Sequence, residues 1–291
     1  MRWTPGGDSS NVEDRRGESG EGGGGGGGRR VGLAGGAVLL VLSLVFGRNL
    51  FSDLGVSDVG GVPAAAPAAT SSAAAVETPD EKTLVDFVTF VLNDAQGTWK
   101  KLLGSTATPY RDARLVLFRN STRSGCGDAE SAMGPFYCPV DEKVYIDLGF
   151  YDELRRRFGA PGDFAQAYVI AHELGHHVQK ILGTEPRVRA MQGRNPSQAN
   201  ARSVMMELQA DCYAGVWGRA TEQRKILDQG DVNEGLAAAA AVGDDRLQQQ
   251  SGGRIHPESF THGSSAQRTQ WFSRGFQSGD LNSCDTFAAG R

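Results

Sequence analysis

Ala171-His172-Glu173-Leu174-Gly175-His176-His177 is the stretch on which the reading of this chain turns. It holds an H-E-x-x-H pattern within a segment where Phe164, Ala167, Tyr168, Ala171, Leu174, Gly175 and Val178 recur at helical spacing as one apolar or small face. Four residues is slightly more than one helical turn, so His172 and His176 project from the same side and can share a metal ion. Glu173 stands beside the first histidine, placed to reach a water on that metal rather than the metal itself. His177 lies about 100° further round the helix, outside that site, and a packing or surface role is expected of it.

Two histidines do not complete a catalytic zinc site; a third protein ligand is needed, with one position left for water. The chain has five histidines, and those outside the motif are His256 and His262. The other source is a helix expected over residues 197–223, where Glu207 and Asp211 stand four apart and share a face. Val204, Leu208, Ala214, Val216 and Trp217 mark that helix as buried. A buried carboxylate pair is costly without a partner, and a zinc–histidine centre supplies one. Glu207 is therefore the expected third ligand, and Asp211 the acceptor for the distal N–H of His172. In the competing reading both acids face solvent or pair with Arg202 or Arg219.

H-E-x-x-H followed some thirty residues later by E-x-x-x-D resembles the gluzincin arrangement of thermolysin-like peptidases. Further stretches resemble the bacterial neutral zinc metallopeptidases in particular. They are G-P-F-Y-C-P (134–139), V-Y-I-D-L (144–148), A-H-E-L-G-H-H-V-Q (171–179), E-L-Q-A-D-C-Y-A-G (207–215), G-D-D (243–245) and F-T-H-G-S-S-A-Q-R (260–268). The resemblance implies an α+β, zincin-like metallopeptidase domain, mostly helical with a small twisted sheet. It also implies Zn²⁺ held by His172, His176 and Glu207, and a peptide or protein as substrate. Zinc at such a site acidifies water and polarises a carbonyl; Glu173 is then the general base. His262 resembles the downstream histidine that donates to the developing oxyanion in thermolysin-like enzymes, with Arg268 and Tyr168 as lesser candidates. A structural cap ahead of the helix that follows is the other reading of His262. The function expected is a membrane-anchored zinc endopeptidase. The alternative is a catalytically silent zinc-binding factor for envelope assembly, against which the intact Glu173 argues.

The rest of the 291-residue chain divides by composition. Residues 1–30 are polar, with an unbroken glycine run at 22–28, and read as a disordered cytoplasmic tail. Residues 31–48 contain a charge-free apolar run flanked by arginines, read as a transmembrane signal-anchor helix, with a cleaved signal peptide as its rival. The arginine excess before it orients the N-terminus to the cytoplasm and places the catalytic domain outside, in a single-pass protein of the cell membrane. Residues 49–77 form an Ala/Pro/Gly linker, and the metallopeptidase domain occupies 78–291. Thr78-Pro79-Asp80-Glu81 reads as a capping box opening a scaffold helix.

Strands are expected at 113–119 and 143–151, the second half-buried and the likelier edge to accept an extended peptide. Cys126 and Cys138 bracket the loop between them and can form a disulfide, or remain two free buried thiols; Cys212 with Cys284 is a second candidate pair. A net charge of −4 with mixed signs gives no basis for nucleic-acid binding.

Overall fold

The structure is a computed structural model that describes residues 1–18 and 77–288. The expected membrane segment at 31–48 and nearly all of the linker at 49–77 lie outside the described residues.

The first long helix, α1 (Pro79–Leu103), opens on the anticipated capping box: Thr78 Oγ accepts the Glu81 N–H at 3.2 Å, and Glu81 accepts the Thr78 N–H at 3.1 Å. Phe87, Val88, Val91, Leu92 and Ala95 then bury one face in the main core. The sheet has the order β1-β2-β6-β5, formed by β1 (Val12–Asp14), β2 (Arg114–Phe118), β5 (Phe136–Cys138) and β6 (Lys143–Asp147). β1, β2 and β6 run parallel, and β5 is antiparallel to β6. A separate hairpin, β3 (Ser121–Ser124) with β4 (Gly127–Glu130), is tied to the sheet by the Cys126–Cys138 disulfide.

Two strand expectations change. The second strand ends at Asp147, because Asp147 Oδ1 takes the Gly149 N–H at 2.8 Å and turns the chain into helix α2 (Phe150–Arg156). β6 is also interior, between β2 and β5, and Tyr145 is buried as fully as Val144 and Ile146. Among the described residues the sheet edges are β1 and β5, and the 143–151 segment is neither.

Helix α3 (Asp163–Ile181) carries the H-E-x-x-H motif and buries all the small and apolar positions anticipated for it. After α4 (Thr184–Arg194) comes α5 (Ala199–Gln223), which crosses α3. Helices α6 (Asp231–Ala241), α7 (Asp244–Gln250) and α8 (Ser265–Ser278) complete the helical layer. α8 packs on α5 almost backbone to backbone: a Cβ on Gly275 would lie 1.9 Å from the Cys212 carbonyl oxygen. Cys212 is itself bonded to Cys284. The architecture is a helical body with a small mixed sheet, as the α+β expectation required.

Residues 1–18 are not a detached tail. Val12, Glu13 and Asp14 pair with Leu115, Val116 and Leu117, and the Trp3 ring stands edge-on to Phe87 at 5.3 Å. The Met1 ammonium bonds Asp163 at the start of α3, and Arg2 bonds Asp228 at 2.8 Å. The tail expectation followed from a Gly-rich, polar average over thirty residues that masked one aromatic anchor and a three-residue strand. A strand hydrogen-bonded to β2 lies on the same side of any membrane as β2. Among the described residues, moreover, no helix is long and apolar enough to cross a membrane. The expected single-pass location, with a cytoplasmic N-terminus and an extracytoplasmic domain, is overturned.

Trp3→Ala should lower the free energy of unfolding by about 1–2 kcal/mol, through lost apolar area and the ring contact with Phe87. Urea denaturation of the full chain measures it; an unchanged midpoint means that the N-terminal segment is not part of the folded domain.

Candidate metal centre

The three expected ligands converge from two helices. His172 and His176 face outward from α3 with ring centroids 4.9 Å apart, and Glu207 reaches them from α5. Glu207 Oε2 lies 3.1 Å from His172 Nε2, and Oε1 lies 3.4 Å from His176 Nε2. The helices approach so closely because position 175 has no side chain: a Cβ there would stand 3.0 Å from Ala210 Cα. One donor atom from each of the three residues fits within 4.8 Å of the others. Tetrahedral zinc bonds of about 2.0–2.1 Å place neighbouring donors roughly 3.3 Å apart, so this set matches zinc in both spacing and ligand type.

Each imidazole is oriented from behind. His172 Nδ1 donates to Asp211 Oδ1 at 2.9 Å, which directs Nε2 at Glu207. His176 Nδ1 donates to Gln179 Oε1, also at 2.9 Å. Gln179 is fully buried, and its amide nitrogen donates to the Met206 carbonyl at 2.7 Å and to Gln209 at 3.1 Å. That settles which end of the amide faces His176.

Asp211 is the hub of the buried network. It accepts from His172, from the Tyr168 hydroxyl, and from Arg268 through Nε (2.8 Å) and Nη2 (2.9 Å). Tyr168 and Arg268, the lesser oxyanion-donor candidates, therefore direct the Tyr168 hydroxyl and the Arg268 Nε and Nη2 groups at Asp211. Arg202 bonds the Met191 carbonyl and Arg219 pairs with Glu222, so the reading in which they neutralise Glu207 and Asp211 falls. His256 is exposed beside Glu258 and is no rival as a ligand.

The electrostatics favour a cation between these groups. Burial alone would lower the pKa of His172, but the charge and hydrogen bond of Asp211 and the bond to Glu207 raise it to about 10. His176 moves up likewise, its burial outweighed by Glu207. Burial would raise Glu207, yet the charge of His176 and the hydrogen bonds from both imidazoles hold it well below the ordinary carboxylate range. Glu173 behaves differently: burial pushes its pKa up, and among the described residues nothing hydrogen-bonds its carboxylate. It opens on a cleft of about 840 Å³ shared with His172, His176, Glu207, His262 and the edge strand β5.

His262 lines this cleft but is outside the three-donor cluster. Its Nδ1 faces Asp244 Oδ1 at 3.1 Å, and Asp244 Oδ2 collects the N–H groups of Thr261, His262 and Gly263 at 2.7, 2.7 and 3.0 Å. Burial would lower the His262 pKa, but the bond to Asp244 and the charge of Glu207 raise it. The helix cap is Ser264 with Gln267, so the capping reading of His262 does not hold. Gln179 and Asp244 had no assigned role in the sequence. Gln179 carried a usable signal, since it stands three residues after His176 and hence on nearly the same helical face.

The sequence model of a family described as "Putative neutral zinc metallopeptidase" matches residues 1–287. The chain belongs to this family. Its relatives include "Uncharacterized protein YpfJ" of Escherichia coli K12, 50% identical over 290 residues and 99% of each chain. "Uncharacterized protein Rv2575" of Mycobacterium tuberculosis H37Rv is 47% identical over 208 residues, 68% of each. No solved structure matches. The family match runs through the N-terminal residues that join the sheet.

Gln179→Leu removes the acceptor behind His176 at nearly constant volume, and zinc affinity should fall roughly 10–100-fold. Competition against a chromophoric chelator reads this directly; unchanged affinity means His176 needs no support from Gln179.

Proposed function

We propose that this family member is a zinc-dependent endopeptidase, with His172, His176 and Glu207 as the metal ligands and Glu173 as the general base. The observation that carries the reading is the donor set at zinc spacing with Glu173, a buried carboxylate of raised pKa, beside it on a cleft of about 840 Å³. When bound, zinc supplies a Lewis acid that makes water acidic near neutral pH and polarises the substrate carbonyl.

The remaining work falls to the chain itself. Glu173 takes a proton from the attacking water and returns it to the leaving amine; its raised pKa brings it nearer the pH at which such a transfer is efficient. Asp211 holds the His172 tautomer, and against its burial the charges of Arg268 and His172 and their hydrogen bonds keep Asp211 an anion. His262, directed by Asp244, donates to the oxygen that gains charge as the carbonyl is attacked. β5, an edge strand among the described residues, offers its free side to an extended substrate. A silent zinc-binding factor would have no use for a general base at position 173.

The test compares zinc-loaded wild type with Glu173→Gln on a mixed peptide library. The variant should keep its zinc while kcat/KM falls roughly 10²–10⁴-fold. A variant that retains the wild-type rate removes Glu173 from the reaction. A wild type that holds zinc and cleaves nothing removes the peptidase reading altogether.

A further inference from the structure

Two consecutive histidines of α3 face different ways. His176 turns to the cleft, and His177, about 100° further round, turns to the sheet, where it is fully buried. His177 Nε2 lies 2.8 Å from the carbonyl oxygen of Arg111, an atom that can only accept, so Nε2 carries the proton. Nδ1 is then the acceptor, and the Tyr137 hydroxyl donates to it at 2.9 Å. The Tyr110 ring closes a third side, edge-on at 5.4 Å.

Tyr137 is the middle residue of β5. It lines the cleft together with its neighbour Phe136. Arg111 precedes β2, and its guanidinium holds Glu142, in the turn between β5 and β6, with bonds of 2.7 and 2.5 Å. One side chain therefore ties the sheet edge, and the segment that anchors its turn, to the residue next to His176. The Cys126–Cys138 disulfide secures β5 only to the hairpin. Among these three ties, only the His177 bond connects β5 to the helix that bears Glu173.

We propose that His177 is a positioning residue that sets the distance between the edge strand β5 and the catalytic helix, and that the substrates are extended segments long enough to pair with β5. This rests on the peptidase reading above. A strand advances about 3.3 Å per residue, so a peptide paired to β5 presents its carbonyls to Glu173 in a register fixed by where β5 stands. Displacement of a positioned group by about 1 Å is enough to cost a large factor in rate or binding. Very short peptides reach the metal ligands without touching β5 and do not depend on the tie.

The experiment uses the zinc-loaded full chain and two fluorogenic peptides with the same scissile pair, one of about ten residues that spans β5 and one of about four that does not. His177→Phe keeps a ring and deletes both hydrogen bonds. It should raise KM for the long peptide about tenfold with kcat nearly kept, leaving the short peptide and the zinc content unchanged. Tyr137→Phe, which loses a single hydroxyl and is the safer variant to fold, should raise the same KM. His177→Gln, whose amide can donate to Arg111 and accept from Tyr137, should restore part of the loss. The proposal is overturned if both peptides change alike, or if only the melting temperature moves. If the wild type cleaves neither peptide, the peptidase reading fails first and the role of His177 falls with it.

Discussion

Where α3 crosses α5, the backbone of Ala210 occupies the space that a side chain at Gly175 would need, and this contact sets how near Glu207 and Asp211 come to His172 and His176. A glycine inside a helix costs about 0.5–1 kcal/mol against alanine. Its place between two cleft-facing histidines is explained by the crossing, not by helix stability. From that approach follow the 3.1 and 3.4 Å distances between imidazoles and carboxylate, the bond from His172 to Asp211, and the cleft on which Glu173 opens.

The crossing is supported by residues distant in sequence. Asp211 and Arg268 form a buried ion pair, and each ion costs several kcal/mol to desolvate unless its remaining hydrogen-bonding capacity is met. Here it is met: Asp211 accepts from Tyr168 and His172, and Arg268 also donates to the Val242 carbonyl. The pair contributes orientation more than stability, since it places a fixed anion behind His172. α8 brings Arg268 into position through its close packing on α5 at Gly275 and the neighbouring Cys212–Cys284 disulfide. The C-terminal helix thus governs the posture of a histidine nearly a hundred residues earlier.

The parts of this arrangement legible in the sequence are those written in helical periodicity. His172, His176, Glu207 and Asp211 each declared themselves by four-residue spacing on apolar helices, and the structure brings all four together. The Thr78–Glu81 box was equally readable, because a cap depends on residues three apart. What escaped depends on contacts across the chain. β5 is three residues long, too short to show a period, whereas the alternation in its neighbour β6 marks a strand without marking its place in the sheet. Asp244 acts on a loop eighteen residues away, which no local pattern marks, and Gln179, though three residues after His176, shows its role only once the Met206 carbonyl and Gln209 fix its amide. The N-terminal segment was misjudged because glycine-rich composition describes an average, while Trp3 and Val12–Asp14 act individually. The membrane topology fell with it, since β1 and β2 share hydrogen bonds.

The central claim is that two imidazoles and one carboxylate, drawn from two crossing helices, hold zinc. X-ray absorption at the zinc edge of the full chain, wild type beside Glu207→Ala, tests it most directly. The account predicts about one zinc per chain with light N/O ligands at about 2.0–2.1 Å, two of them imidazole, and no sulfur, because all four cysteines are in disulfides. In Glu207→Ala the imidazole signature should persist in whatever zinc remains while affinity collapses. A sulfur shell at about 2.3 Å, a third imidazole, or undiminished zinc binding without Glu207 would contradict the account.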